Sequence, residues 1–335
     1  MAQPPSALRI GMSTAIGSLP HTDPGQAVEF VLRHLPDLPA APSLPARDRR
    51  EGMLAQAAWG IPGVVVGADG SLTVDSDELD PGAALGDPHL AGPPFVTLQT
   101  FLSAIAGRTE PVKVQLTGPV TLARALTAVG AEPSLAVAVA GPAVRARSCS
   151  LLDAVAAVAP EAPLVAFLDE PGLAGDLPAE LGDPEAVVDM VSGALAVWES
   201  RAVTGIHCCG RTDWRTLLQA GPGILSVPVG AEIGPAGSLA AFLERDGWVA
   251  WGAIPTDRPL GDSVSQSWRE LSMQWCELVQ GGCDPVRIRR QALVTPACGL
   301  ATHHLPQVER VFELARTLGQ RISDQLAGVR LSVGA

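Results

Sequence analysis

The sequence predicts an α/β protein folded as a closed parallel barrel with an irregular N-terminal extension, and three observations carry that prediction. From Val112 onward, short apolar runs alternate with helical patterns, which is the rhythm of βα units and parallel pairing. Most of those runs end in a polar or turn-forming cluster, and barrel enzymes build their sites from the C-terminal ends of their strands. No GxGxxG or GxxxxGKS/T loop follows any run, so the competing open, nucleotide-binding sheet has nothing to stand on.

Residues 1–110 are a loop-rich extension, with helical patterns only over Ala27–His34 and Arg47–Ala58. Strands are then expected at Val112–Leu116, Leu164–Leu168, Thr204–Cys208, Ile224–Val227, Val249–Ile254 and Ala292–Thr295. Helices are expected at Leu122–Val139, Pro184–Ser200, Trp214–Ala220, Leu239–Arg245, Ser263–Gln280 and Leu305–Ala327. Early strands near Ile10 and Val64 bring the expected count to eight. At about 150 residues per domain the length allows two domains, but one barrel of about 250 residues plus extensions accounts for the pattern across 1–335.

Composition excludes several functions. The chain has 35 acidic and 23 basic side chains, a formal charge of −12, which argues against a nucleic-acid partner. Pro, Gly or a charge interrupts each apolar run before the ~18 residues that a membrane span needs. The opening MAQPPSALRIGMST lacks the basic and apolar regions of a signal peptide, so a soluble, cytoplasmic protein is expected. Six cysteines in such a chain do not read as a disulfide framework, and Cys149, Cys276 and Cys283 read as plain thiols. There is no Tyr, and the sole lysine, Lys113, is expected to be solvated or at a barrel end rather than a Schiff-base or phosphate lysine.

The polar clusters are Thr117-Gly118-Pro119, Asp169-Glu170-Pro171, His207-Cys208-Cys209-Gly210, Pro255-Thr256-Asp257 and Pro296-Ala297-Cys298-Gly299. Side chains two apart on a strand point the same way, so His207 and Cys209 can grip one ion while Cys208 faces away. Cys298, from a later strand end, completes a soft N/S set suited to zinc with one position left open. A core histidine beside two buried thiols fits the same spacing. Zinc would serve thiol activation, since it deprotonates a bound thiol. Hydrolysis by a metal-bound water, with Asp169 or Glu170 as base, is the alternative. A carboxylate such as Asp169 at a strand end also suits a cationic group, or it caps the next turn.

These residues resemble a known family. Ile16-Gly17-Ser18-Leu19-Pro20, Leu116-Thr117-Gly118-Pro119-Val120-Thr121-Leu122, Leu168-Asp169-Glu170-Pro171, Ile206-His207-Cys208-Cys209 and Pro296-Ala297-Cys298-Gly299-Leu300 are similar, in the same order, to the catalytic domain of cobalamin-independent methionine synthase. The wider superfamily includes uroporphyrinogen decarboxylase and corrinoid:thiol methyltransferases. The resemblance implies a TIM-type (β/α)8 barrel whose Zn2+ binds the thiol of homocysteine for methylation to methionine. It implies His207, Cys209 and Cys298 as zinc ligands, Gly17 and Ser18 on the amino-acid carboxylate, and Asp169 on the ammonium, with Glu170 adjoining it. The chain departs from the family in three places. It is too short for the family's second barrel; the fourth ligand, a glutamate, falls at Pro228 with Glu232 the nearby carboxylate; and a second acid for the amino group has no counterpart. The methyl donor is then methyltetrahydrofolate or a methylated corrinoid, free or protein-bound. Arg47-Asp48-Arg49-Arg50 and Arg287–Arg290 read as solvated faces rather than grips for a polyglutamate tail. The other readings are a methyltransferase for a different thiol, a metal-free decarboxylase-like barrel needing arginines at its mouth (Arg211 and Arg258 are on offer), and a non-catalytic binding protein.

Overall fold

The computed structural model describes residues 8–175, 183–261 and 263–333. Helix α1 (Pro24–His34) starts where Asp23 accepts a hydrogen bond from the Gln26 N–H, with Pro24 preset for the first turn. The helix expected over Arg47–Ala58 is split at Gly52 into a single 3₁₀ turn and α2 (Met53–Ala58). The run expected as a barrel strand near Val64 instead forms a hairpin outside the main sheet. Strand β1 (Val64–Val66) pairs antiparallel with β2 (Leu72–Val74), because the turn closed by Gly67 N–H to Ser71 O sends the chain straight back. Helix α3 (Val96–Ala104) completes this sector.

The βα rhythm follows as expected. Six strands, β3 (Val112–Thr117), β4 (Leu164–Asp169), β5 (Val203–His207), β6 (Ile224–Pro228), β7 (Trp248–Ile254) and β8 (Ala292–Pro296), pair in parallel and in sequential order. Between them come α4 (Pro119–Ala128), α5 (Pro133–Val158), α6 (Pro184–Leu195), α7 (Trp214–Gln219), α8 (Ala236–Glu244), α9 (Ser265–Gln280) and α10 (Arg287–Arg290); α11 (Leu305–Val333) closes the chain. The single helix expected over Leu122–Val139 is two: Gly130, at φ +108°, ends α4, and Glu132 caps α5 by accepting from the Leu135 N–H. Helix α5, although interrupted by Pro142, Arg145 and Arg147, is long and apolar enough to cross a membrane by length and composition; 56% of its most apolar window is buried inside the protein, against α3, α4 and α6.

Among the described residues the main sheet holds six parallel strands where eight were expected. Two extended segments bridge its edges. Residues 11–14 run beside β8, with Gly11 N–H to Ala292 O at 2.8 Å and Val294 N–H to Met12 O at 2.9 Å. Residues 39–41 run beside β3, with Lys113 N–H to Pro39 O at 2.8 Å and Ala41 N–H to Lys113 O at 2.9 Å. The segments join each other through Leu19 N–H to Ser43 O at 3.0 Å and Ser43 N–H to Gly17 O at 3.3 Å. The sheet is therefore a curled, TIM-like parallel wall. Met12, Leu38, Val165, Phe167, Ile224, Ala250 and Leu293 pack inside its curve, while a larger cluster, including Cys208, fills the layer between strands and helices.

Candidate functional site

The register of the strands builds the site. Thr117, Asp169, His207 and Ser226 are successive partners across β3, β4, β5 and β6, so four polar side chains share one row on one face. The same row continues into Ala250 and Leu293, which are buried apolar residues. Parallel strands set side by side thus gather residues that are 19 to 52 positions apart in the chain into one polar arc at their C-terminal ends.

Beside this arc the two loop cysteines meet. The Cys209 and Cys298 sulfurs act on each other, which pushes the Cys209 pKa up; that contact, then His207, brings the Cys298 pKa down. His207 is buried; its Nδ1 is 3.0 Å from the Ser226 hydroxyl, and its Nε2 has no hydrogen-bond partner. Asp169 Oδ1 is likewise buried without a partner. Burial raises the Asp169 pKa, against the pull of Lys113 and His207.

One cavity of about 340 Å3 is lined by Gly17, Ser18, Asp169, His207, Cys209 and Cys298, so six of the eight residues singled out from sequence come together. Backbone geometry explains why the Gly17-Ser18 and Cys298-Gly299 pairs are glycine-bearing. Gly17 has φ +155° and lies on the Gln115 amide where a Cβ would overlap it; a Cβ on Gly299 would overlap the Ser18 hydroxyl. Ser18 is in this way locked against the loop that carries Cys298, and Leu300 N–H donates to Ser18 O at 2.9 Å.

The other two candidates go elsewhere. Glu170 is buried outside the cavity lining and caps α4, accepting from Val120 N–H at 3.0 Å, Thr121 N–H at 2.8 Å and the Thr121 hydroxyl at 2.5 Å. Burial still raises its pKa to about 7. Glu232 is exposed and lines a separate cavity of about 740 Å3 with Arg258 and Gln274. Lys113, expected to be solvated or at a barrel end, lies near the start of β3 and is only 2% exposed, and burial lowers its pKa to about 8. The cavity also uses Ser43, Met53, Gln56 and Gln115, none of which the sequence motifs picked out. For Gln115 a signal existed: Lys113, Gln115 and Thr117 alternate with valine and leucine, which marks one polar face of a strand. No Arg or Lys side chain lines the cavity among the described residues.

The donor set can be tested for a metal. Two cysteine sulfurs in mutual contact and an imidazole with an unpartnered ring nitrogen and a hydroxyl on the other match the N/S chemistry and outer partner that zinc sites use. Among the described residues, however, no three His, Cys, Asp or Glu side chains are already gathered around a common point. The residues fit the ion in kind.

No protein-family description matches the chain, and no curated protein does. Among solved structures, it is similar to a protein of Listeria monocytogenes provisionally named a vitamin-B12-independent methionine synthase. The TM-score is 0.56 at 14% identity, over 91% of this chain and 86% of the other. The two share a fold.

Proposed function

We propose that the cavity is the catalytic centre of a methyltransferase acting on a small thiol, with homocysteine as acceptor and methionine as product. The lining of one cavity by His207, Cys209, Cys298 and Asp169 at one end of the sheet carries this reading. The fold shared with a protein provisionally named a methionine synthase supports it. In this reading His207, Cys209 and Cys298 hold Zn2+, and Glu232, which lines another cavity, leaves the fourth position to the acceptor. When bound, the metal supplies deprotonation of a thiol at neutral pH.

The remaining work falls to the chain's own residues. Ser226 orients the His207 ring through Nδ1. Asp169 offers its unpartnered oxygen to the acceptor's ammonium, while Ser18, fixed against Gly299, faces the carboxylate with Gly17 beside it. Ile16, Met53, Leu116 and Pro171 form the apolar part of the wall and exclude water from the nucleophile. A decarboxylase acting on a polycarboxylate would need cationic side chains here; Arg258, one of the two on offer, pairs with Glu270 at 2.6 Å instead.

Zinc-edge X-ray absorption with and without L-homocysteine tests the proposal. The expected result is zinc with two sulfur neighbours, rising to three when the amino acid is added. Protein that takes up no zinc overturns the metal; a sulfur count that stays at two overturns the acceptor. Supplying methyltetrahydrofolate or methylcobalamin with a carbon-14 methyl group then tells the two donors apart.

A further inference from the structure

The inward face of β3 is polar from end to end, where barrel interiors ordinarily carry branched apolar side chains. Its residues are Lys113, Gln115 and Thr117, and each donates to a backbone carbonyl of the irregular N-terminal sector. Lys113 Nζ reaches Ile16 O at 2.8 Å, Gln115 Nε2 reaches Ala41 O at 2.7 Å, and Thr117 Oγ1 reaches Met53 O at 2.8 Å. Lys113 also donates to Gln115 Oε1 at 3.0 Å, which links two rungs. Regular strands would meet such carbonyls with backbone N–H groups; bridged segments cannot, and a buried carbonyl needs a donor. At Ile16 and Ala41 side chains of β3 stand in for the missing ladder, and at Met53 one ties the first turn of α2 to the sheet.

The three carbonyls belong to three pieces of the cavity wall. Ile16 precedes Gly17 and Ser18, Ala41 lies two residues before Ser43, and Met53 lines the cavity with Gln56. Gly17 rests directly on the Gln115 amide. Lys113 also lies 4.8 Å over the Phe167 ring, inside the curve of the sheet, and its charge acts on Asp169. An ammonium held there loses its hydration, and a fold that only needed packing would place a leucine or methionine at 113.

We propose that Lys113, together with Gln115 and Thr117, is a positioning device that sets the ligand-binding wall, with Lys113 fixing the Gly17–Ser18 loop and the field at Asp169. The ladder stands on its own; that the positioned ligand is a thiol amino acid rests on the methyltransferase reading.

Hydrogen–deuterium exchange resolved by peptide separates a ladder from general support. Losing one rung should speed exchange about tenfold in the segment it holds and nowhere else. Lys113→Met should release residues 13–19, Gln115→Leu residues 39–44, and Thr117→Val residues 53–58, with β4 to β8 unchanged. Zinc content of Lys113→Met should stay at the wild-type level while its Kd for L-homocysteine rises about tenfold, and Lys113→Arg, which still donates to Ile16 O, should recover part of that loss. Faster exchange spread across β4 to β8, or none in the named segments, overturns the ladder. Unchanged homocysteine affinity in Lys113→Met overturns the positioning role. If Lys113→Met does not fold, the isosteric Thr117→Val carries the exchange test alone. If wild-type protein binds no zinc, the methyltransferase reading falls, and the exchange pattern still decides the ladder.

Discussion

From β3 to β8 the wall around the cavity is made of strands paired residue for residue, while between residues 8 and 58 it is made of extended segments and the short helix α2, held by isolated bridges and side-chain donors. The paired sector delivers the soft donors: His207 ends β5, with Cys209 two residues on, and Cys298 lies just past β8. The bridged sector delivers Gly17, Ser18, Ser43, Met53 and Gln56. A strand end is fixed to within a rotamer by its ladder, which suits atoms that must converge on one point. An irregular segment can present a backbone turn and a hydroxyl at angles that a pleated strand does not allow, which suits recognition of a small polar ligand. The two sectors should therefore fail differently when damaged.

The largest effect belongs to the paired sector. Cys298→Ser should lose bound metal and reduce activity by more than about a hundredfold, a loss that even outer partners of metal ligands approach. Metal analysis together with methyl-transfer assays reads both at once. Metal retained at full occupancy would break the assignment of donors to this sector. Ser226→Ala comes next. It leaves every donor in place but frees the His207 ring, and a loss of about 10- to 100-fold in zinc affinity is expected by competition with a chelator.

Asp169, at the end of β4, faces the cavity that both sectors line, so its removal sharpens the comparison. Asp169→Asn keeps shape and removes charge, and zinc content should not change. The KM for homocysteine should rise about tenfold, the size of one hydrogen bond to a charged group. Thermal stability should not fall, because the carboxylate is buried with an oxygen that no donor satisfies. A variant with normal KM and a lower Tm would make Asp169 a structural residue instead.

The same division governs what could be read from sequence. All six strands of the main sheet start and end within one residue of their expected bounds, because apolar runs closed by turn residues carry their own signal. The H-x-C pair, Cys298 and Asp169 were legible for the same reason: they punctuate those runs. The bridged segments have no period to detect, and Val64–Val66, the most strand-like run there, went to a hairpin. Glu170 was misread because the motif Asp-Glu-Pro does not say which carboxylate faces the cavity; neighbours on a strand end point opposite ways, and Glu170 turns to α4. For Lys113 the solvated alternative fails, because a lone lysine in a strand is ordinarily at the surface and this one is buried. Only the carbonyls it serves, 97 residues away in the chain for Ile16, explain its burial.

The smallest effect is a titration that tests whether the bridged sector is dry. Lys113 has a folded pKa of about 8 against an ordinary 10.5, because burial disfavours the ammonium. Between those values the unfolded chain holds a proton that the folded chain has released, so stability should rise with pH across that window. The contribution cannot exceed about 1.4 kcal/mol per pH unit. The chain suits the measurement, since it has no Tyr and no second lysine. Buried thiols act in the opposite sense: burial raises Cys208 and Cys283, which lowers stability as pH climbs. The quantity to follow is therefore the difference in unfolding free energy between wild type and Lys113→Met, in which the thiols cancel. A difference that grows in favour of wild type from pH 8 to pH 10 means a desolvated ammonium holding the Ile16 carbonyl. A flat difference means that water reaches Lys113, and then the side-chain ladder is not what keeps the Gly17–Ser18 loop in place.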